Sequence, residues 1–191
     1  MKEELLSRIA GKQIVVGVVG LGYVGLPLAV EKAKAGFKTI GFDVQADKVK
    51  MVNEGHNYIG DVVDAELTQL VADGMLSATT DFSFVKDVDF IAICVPTPLD
   101  AHQQPDISYV ESSAKAIAEH LSPNTMVVLE STTYPGTTEE LIRPLLEKGS
   151  GLTCGKDFYL GFSPEWIRAT LSIKQKIPPK WWAPSAKMPV R

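Results

Sequence analysis

Short apolar runs recur along this chain, each followed by a stretch whose apolar positions fall at helical spacing. Residues 14–19 are one such run, rich in β-branched side chains, and read as a strand buried on both faces. Residues 26–35 follow as a helix closed by Gly36, a residue suited to the left-handed position past a helix end. Residues 38–42 form a second strand. Residues 47–54 are a helix stopped by Gly55, and 65–73 another stopped by Gly74, with 56–64 an irregular loop between them. A short third strand is expected at 78–80, a helical turn at 82–85 and a stronger fourth strand at 90–95. Pro96 and Pro98 end that strand, because proline cannot donate to the ladder. Asp106 is placed to cap a helix over 107–120, and 126–129 is a fifth strand. Residues 137–148 are helical, with Glu139 and Glu140 favouring the start, and 158–162 make a sixth strand.

Between the first strand and its helix, Gly20, Gly22 and Gly25 satisfy G-x-G-x-x-G, with Tyr23 and Val24 inside the loop. Gly20 allows the tight turn, Gly22 lets the backbone approach a pyrophosphate, and Gly25 permits close helix–strand contact. Free amides and the dipole at the helix start supply an anion site. Asp43 ends the second strand, about 20 residues beyond the glycines as a dinucleotide fingerprint requires. A carboxylate there accepts hydrogen bonds from an adenosine ribose and repels a 2′-phosphate, so the expected cofactor is NAD rather than NADP. Lys48, a turn further on, either lies near the same ribose and its phosphates or is a solvated surface lysine. The fold class is α/β, a Rossmann-like doubly wound parallel sheet. Its single domain covers residues 12–165, after an N-terminal extension (1–11) and before an atypical tail (166–191).

At 191 residues the chain can hold one sizeable domain, or one domain with an appendage. A net charge of −4 with no basic stripe argues against nucleic-acid or membrane-surface partners. No apolar run approaches a membrane span, and the first ten residues lack the uninterrupted apolar core of a signal peptide. Cys94 and Cys154 lie too far apart for a disulfide framework or a zinc site, no metal is expected, and a reducing cytoplasm fits best. Cys94 reads as core and Cys154 as a structural or incidental loop residue.

In an open parallel sheet, ligands bind beyond the carboxyl ends of the strands. Three such ends carry unusual residues here: Val95-Pro96-Thr97-Pro98, Glu130-Ser131-Thr132-Thr133-Tyr134-Pro135-Gly136-Thr137-Thr138 and Phe162-Ser163-Pro164-Glu165. Each alone is compatible with ordinary turn chemistry. Together with the glycine loop and Pro105-Asp106-Ile107-Ser108-Tyr109, they resemble the nucleotide-sugar 6-dehydrogenases, the UDP-glucose/GDP-mannose dehydrogenase family, over residues 12–165. Within it, the form of residues 130–138 is most similar to the UDP-N-acetylglucosamine branch. The resemblance implies oxidation of a UDP-sugar's C6 hydroxyl to a carboxylate with two NAD+, for surface polysaccharide precursors. It implies that Thr97 and Thr132 border the nicotinamide, that Val95 and Pro96 also bind the cofactor, and that Tyr109 lies beside the cofactor cleft. It further implies that Thr132 helps hold a water or alkoxide and that Glu165 assists hydrolysis of a thioester. The family's cysteine nucleophile lies in a later Gly-x-Cys-x-Pro-x-Asp segment, and neither cysteine here has that setting, so the isolated chain is expected to be inactive. The alternatives are a non-catalytic NAD-binding fragment, or the first domain of another NAD-dependent dehydrogenase acting on UDP-glucose or a hydroxy acid. A homo-oligomer is compatible with any of these.

The tail departs from the family. It holds Trp166, Trp181 and Trp182, four prolines and basic residues without acids. Tryptophan has one codon, so Trp181-Trp182-Ala183 read from the third base force Val-Gly. Back-translating residues 176–185 in that frame gives Asn-Thr-Pro-Lys-Val-Val-Gly-Ala-Gln, and 166–170 gives Asp-Pro-Gly-Asp, both segments with which the family continues. A frameshift near Glu165 is therefore expected, the alternative being a basic, proline-rich tail that binds a partner.

Overall fold

The computed structural model describes residues 2–99 and 105–164. The tail, the frameshift expected there and Glu165 lie outside the described residues. Strands β1 (Val15–Val19), β2 (Lys38–Phe42), β3 (Leu76–Thr79), β4 (Phe90–Ile93), β5 (Met126–Leu129) and β6 (Tyr159–Phe162) form one sheet in the order β3-β2-β1-β4-β5-β6. Every neighbouring pair is parallel. Parallel pairing needs a crossover between strands. The crossovers are built by α2 (Gly25–Lys34), α3 (Ala46–Asn53), α4 (Asp64–Ala72), α5 (Ser108–Ala118) and α6 (Arg143–Ser150), with a 3-10 turn at Phe82–Asp87. The strand order reverses between β1 and β4, where a doubly wound sheet opens its ligand crevice.

The pleat divides the core. Val16, Val18, Ala92 and Cys94 face α2 and α4, meeting Leu26, Val30 and Leu67. Val19, Phe42, Ile91, Ile93 and Leu129 face the other way, against Val110, Ile117 and Leu146 of α5 and α6. Both faces are covered at the centre of the sheet, which is why β1, β4 and β5 read as continuous apolar runs rather than as an alternating pattern.

The segment read as an N-terminal extension forms a helix, α1 (Lys2–Ala10). Leu5 is buried in the α2 side of the core and Ile9 packs against it. Arg8 clasps Asp89 with two hydrogen bonds of 2.6 and 2.9 Å, while Asp89 also accepts the Val15 amide at 2.9 Å. The third strand begins two residues before the expected one, because Leu76 is buried and pairs with Thr39 directly after the left-handed Gly74. The fourth strand ends at Ile93, although the Cys94 amide still donates to the Val19 carbonyl at 2.7 Å. The single helix expected over 137–148 is a π-helical stretch, Thr137–Ile142, running into α6. Pro144 lies in the first turn of α6. It has no amide to donate and its ring would meet the carbonyl four residues back in a continuous α-helix, which the wider π turn avoids.

Candidate functional site

A cleft of about 600 Å³ opens at the carboxyl ends of β1, β2, β4 and β5. Its floor is the glycine loop. Gly20 sits at φ +90°, a conformation side-chain-bearing residues avoid, and its amide donates to the Phe42 carbonyl at 2.8 Å. A Cβ on Gly25 would stand 1.8 Å from the Gly20 carbonyl oxygen, so only glycine lets α2 start this close to β1. A Cβ on Gly22 would meet nothing within 4 Å, and Gly22 lines the cleft. No side chain caps the start of α2, which leaves the anion-binding end of that helix to the loop and to whatever enters the cleft.

Asp43 is 7% exposed, and both its oxygens are held by backbone. Oδ2 accepts the Leu21 amide at 2.8 Å and Oδ1 accepts the Gln45 amide at 2.9 Å. Lys48 Nζ lies 3.9 Å from Oδ2, so the lysine stands beside the acid at the cleft wall. Each carboxylate oxygen has a further lone pair to offer a ligand hydroxyl. Above Asp43, Val44 is 81% exposed and Phe82 packs its ring 5.5 Å from that of Phe42, giving this end of the cleft an apolar wall.

The opposite end is built by the loops after β4 and β5, which are stitched together. The Thr97 hydroxyl donates to the Thr132 carbonyl at 2.8 Å, and the buried Ser131 hydroxyl donates to the Val95 carbonyl at 2.7 Å. These bonds tie the loop after β4 to the loop after β5.

Of the residues singled out from sequence, Gly20, Gly22, Tyr23, Val24, Asp43 and Lys48 line the cleft. So do Val95, Pro96, Thr97, Tyr109 and Thr132. Gly25 does not; it lies behind the loop in a packing position. Sequence reasoning missed Ser131 as a loop tie and missed Tyr58 altogether. The Tyr58 hydroxyl donates to the Leu21 carbonyl at 2.8 Å, from a stretch read as an irregular loop. Its one legible signal was Asn57, whose side chain accepts the Ile59 amide at 2.7 Å in the manner of an Asx turn.

Cys94 is 6% exposed and packed beneath the loop, its Cβ 3.2 Å from where a Gly25 Cβ would stand. Burial pushes the Cys154 thiol up, away from the thiolate a nucleophile needs. Among the described residues no group of His, Cys, Asp and Glu is arranged to hold a metal, and no helix is long and apolar enough to cross a membrane.

Residues 14–180 match the model of the UDP-glucose/GDP-mannose dehydrogenase family, NAD binding domain. The chain is 42% identical over 152 residues to protein CapL of Staphylococcus aureus, covering 80% of this chain and 35% of that protein. It is 39% identical over 156 residues to a UDP-N-acetyl-D-glucosamine 6-dehydrogenase of Pseudomonas aeruginosa, covering 82% and 36% respectively. The crystal structure of a ternary complex of GDP-mannose dehydrogenase from Pseudomonas aeruginosa superposes with a TM-score of 0.75 at 36% identity, covering 80% of this chain and 36% of that one. The chain thus spans little more than a third of the length of these relatives.

Proposed function

The chain belongs to the UDP-glucose/GDP-mannose dehydrogenase family as its NAD-binding domain, and from that premise we propose that the cleft between Gly20 and Thr132 holds NAD. Asp43 and Lys48 would take the adenosine ribose, and the Gly22 backbone with the start of α2 would take the pyrophosphate. Val95, Pro96, Thr97 and Thr132 would border the nicotinamide, with Tyr23, Val24 and Tyr109 flanking the cofactor. The observation that carries this reading is the buried Asp43 carboxylate, oriented by two backbone amides and presented to the same cleft as an unobstructed Gly22. NAD+ supplies a hydride acceptor when bound.

In the whole enzyme, the reaction served would be oxidation of the C6 hydroxyl of a UDP-sugar to a carboxylate with two NAD+, on the route to surface polysaccharide. UDP-N-acetylglucosamine is the substrate favoured by the form of residues 130–138, and the similarity to the Pseudomonas aeruginosa UDP-N-acetyl-D-glucosamine 6-dehydrogenase agrees with it. Thr132 would position the water or alkoxide, because its side chain is exposed at the cleft while its carbonyl is tied down by Thr97. Glu165 would act as general base in releasing the acid product. The 191-residue chain would bind NAD+ without turning over, since Cys94 is only 6% exposed beneath the glycine loop and burial pushes the Cys154 thiol up. A cytoplasmic location fits a chain whose Cys94 and Cys154 are not joined in a disulfide.

The test has two parts. Calorimetric titration with NAD+ should show saturable binding, and NADP+ should bind more weakly. Incubation with NAD+ and UDP-N-acetylglucosamine, UDP-glucose or UDP-N-acetylmannosamine should produce no NADH; measurable turnover would overturn the inactivity of the isolated chain.

A further inference from the structure

We infer that Tyr58 is a positioning residue for dinucleotide binding: from outside the cleft, it fixes the peptide that presents the Gly22 amide. The inference rests on the NAD reading above. Leu21, between the first two glycines, is held from both sides. Its amide donates to Asp43 Oδ2 at 2.8 Å, and its carbonyl accepts the Tyr58 hydroxyl at 2.8 Å. The Leu21 carbonyl and the Gly22 amide belong to one planar trans peptide, so they point in opposite directions. Holding the carbonyl toward Tyr58 therefore fixes where the Gly22 N–H is aimed. The constraint matters at this position because glycine leaves that peptide unusually free to rotate.

Tyr58 is itself well placed to be a strut. Asn57 knits its loop together, donating to the carbonyls of Ile59 and Val62 at 2.6 Å each and accepting the Ile59 amide. The Tyr58 ring packs against the α2 side of the core. Burial, and secondarily the Asp43 charge, push the phenol above its ordinary range, so it remains a proton donor.

The experiment compares NAD+, ADP-ribose and adenosine binding to the chain and to Tyr58→Phe, with thermal unfolding alongside. Loss of one hydrogen bond, about 1 kcal/mol, should weaken NAD+ and ADP-ribose by about fivefold. Adenosine should stay within about twofold, because the Asp43–Leu21 amide contact lies on the neighbouring peptide. Asn57→Ala, which slackens the loop but keeps the hydroxyl, should show the same selectivity and covers the case in which Tyr58→Phe folds poorly. Equal binding of all three ligands by the wild-type chain and both variants, or parallel weakening of adenosine, would overturn the strut. Failure of the wild-type chain to bind NAD+ would instead overturn the reading of the cleft, and the strut with it.

Discussion

Gly22→Ala and Gly25→Ala should fail in opposite ways, although both alter the same glycine motif. At Gly25 the new methyl would lie 1.8 Å from the Gly20 carbonyl oxygen and 3.2 Å from Cys94 Cβ. An ordinary carbon–oxygen contact is about 3.4 Å, so α2 and the loop must separate by roughly 1.5 Å. Overpacking of this kind costs about 1–3 kcal/mol, which for a chain of this size lowers Tm by about 3–10 °C. At Gly22 the methyl meets no protein atom within 4 Å. Stability should therefore stay within about 0.5 kcal/mol, while the methyl takes space the pyrophosphate needs. Affinity for NAD+ should fall at least about tenfold, equivalent to about 1.4 kcal/mol. Differential scanning fluorimetry and calorimetry on the two variants measure both quantities. A Gly25→Ala chain as stable as wild type, or a Gly22→Ala chain that binds NAD+ normally, would refute the division of labour within the loop.

Asp43→Asn should weaken NAD+ by about tenfold and narrow its advantage over NADP+, because the amide gives up one acceptor and the repelling charge; competition titrations read this directly. Arg8→Ala removes a bidentate pair whose arginine is partly solvated, with side-chain exposures of 38% and 19%. It should cost about 1 kcal/mol, lowering Tm by about 2–4 °C with NAD+ affinity unchanged. The raised Cys154 pKa leaves less thiolate at pH 8 than a free cysteine has. Iodoacetamide labelling of Cys154, followed by mass spectrometry, should therefore be slower than labelling of free cysteine and should accelerate as pH rises.

The centre of the sheet was legible because β1, β4 and β5 are buried along nearly their whole length, which leaves runs such as residues 14–19 unbroken by polar side chains. The cofactor end was legible because the loop's demands fall on residue type: φ +90° at Gly20 and the missing Cβ at Gly25 admit glycine alone. What escaped detection depends on contacts distant in sequence. Helix α1 is fixed by Arg8 reaching Asp89, and its charged, short segment carries no local sign of that docking. Tyr58 acts on Leu21 across 37 positions, from a loop that Asn57 helps to hold together. Ser77, exposed between buried Leu76 and Ala78, broke the apolar run that would have placed the start of β3. The π turn before α6 answers to Pro144, whose effect on the preceding turn is not a matter of periodicity.

Titration of the isolated chain with NAD+ and, separately, with NADP+ tests the central claim most directly. The account predicts saturable binding of one NAD+ per chain, with NADP+ at least about tenfold weaker because Asp43 faces its 2′-phosphate. No saturable NAD+ binding, or a preference for NADP+, would contradict it.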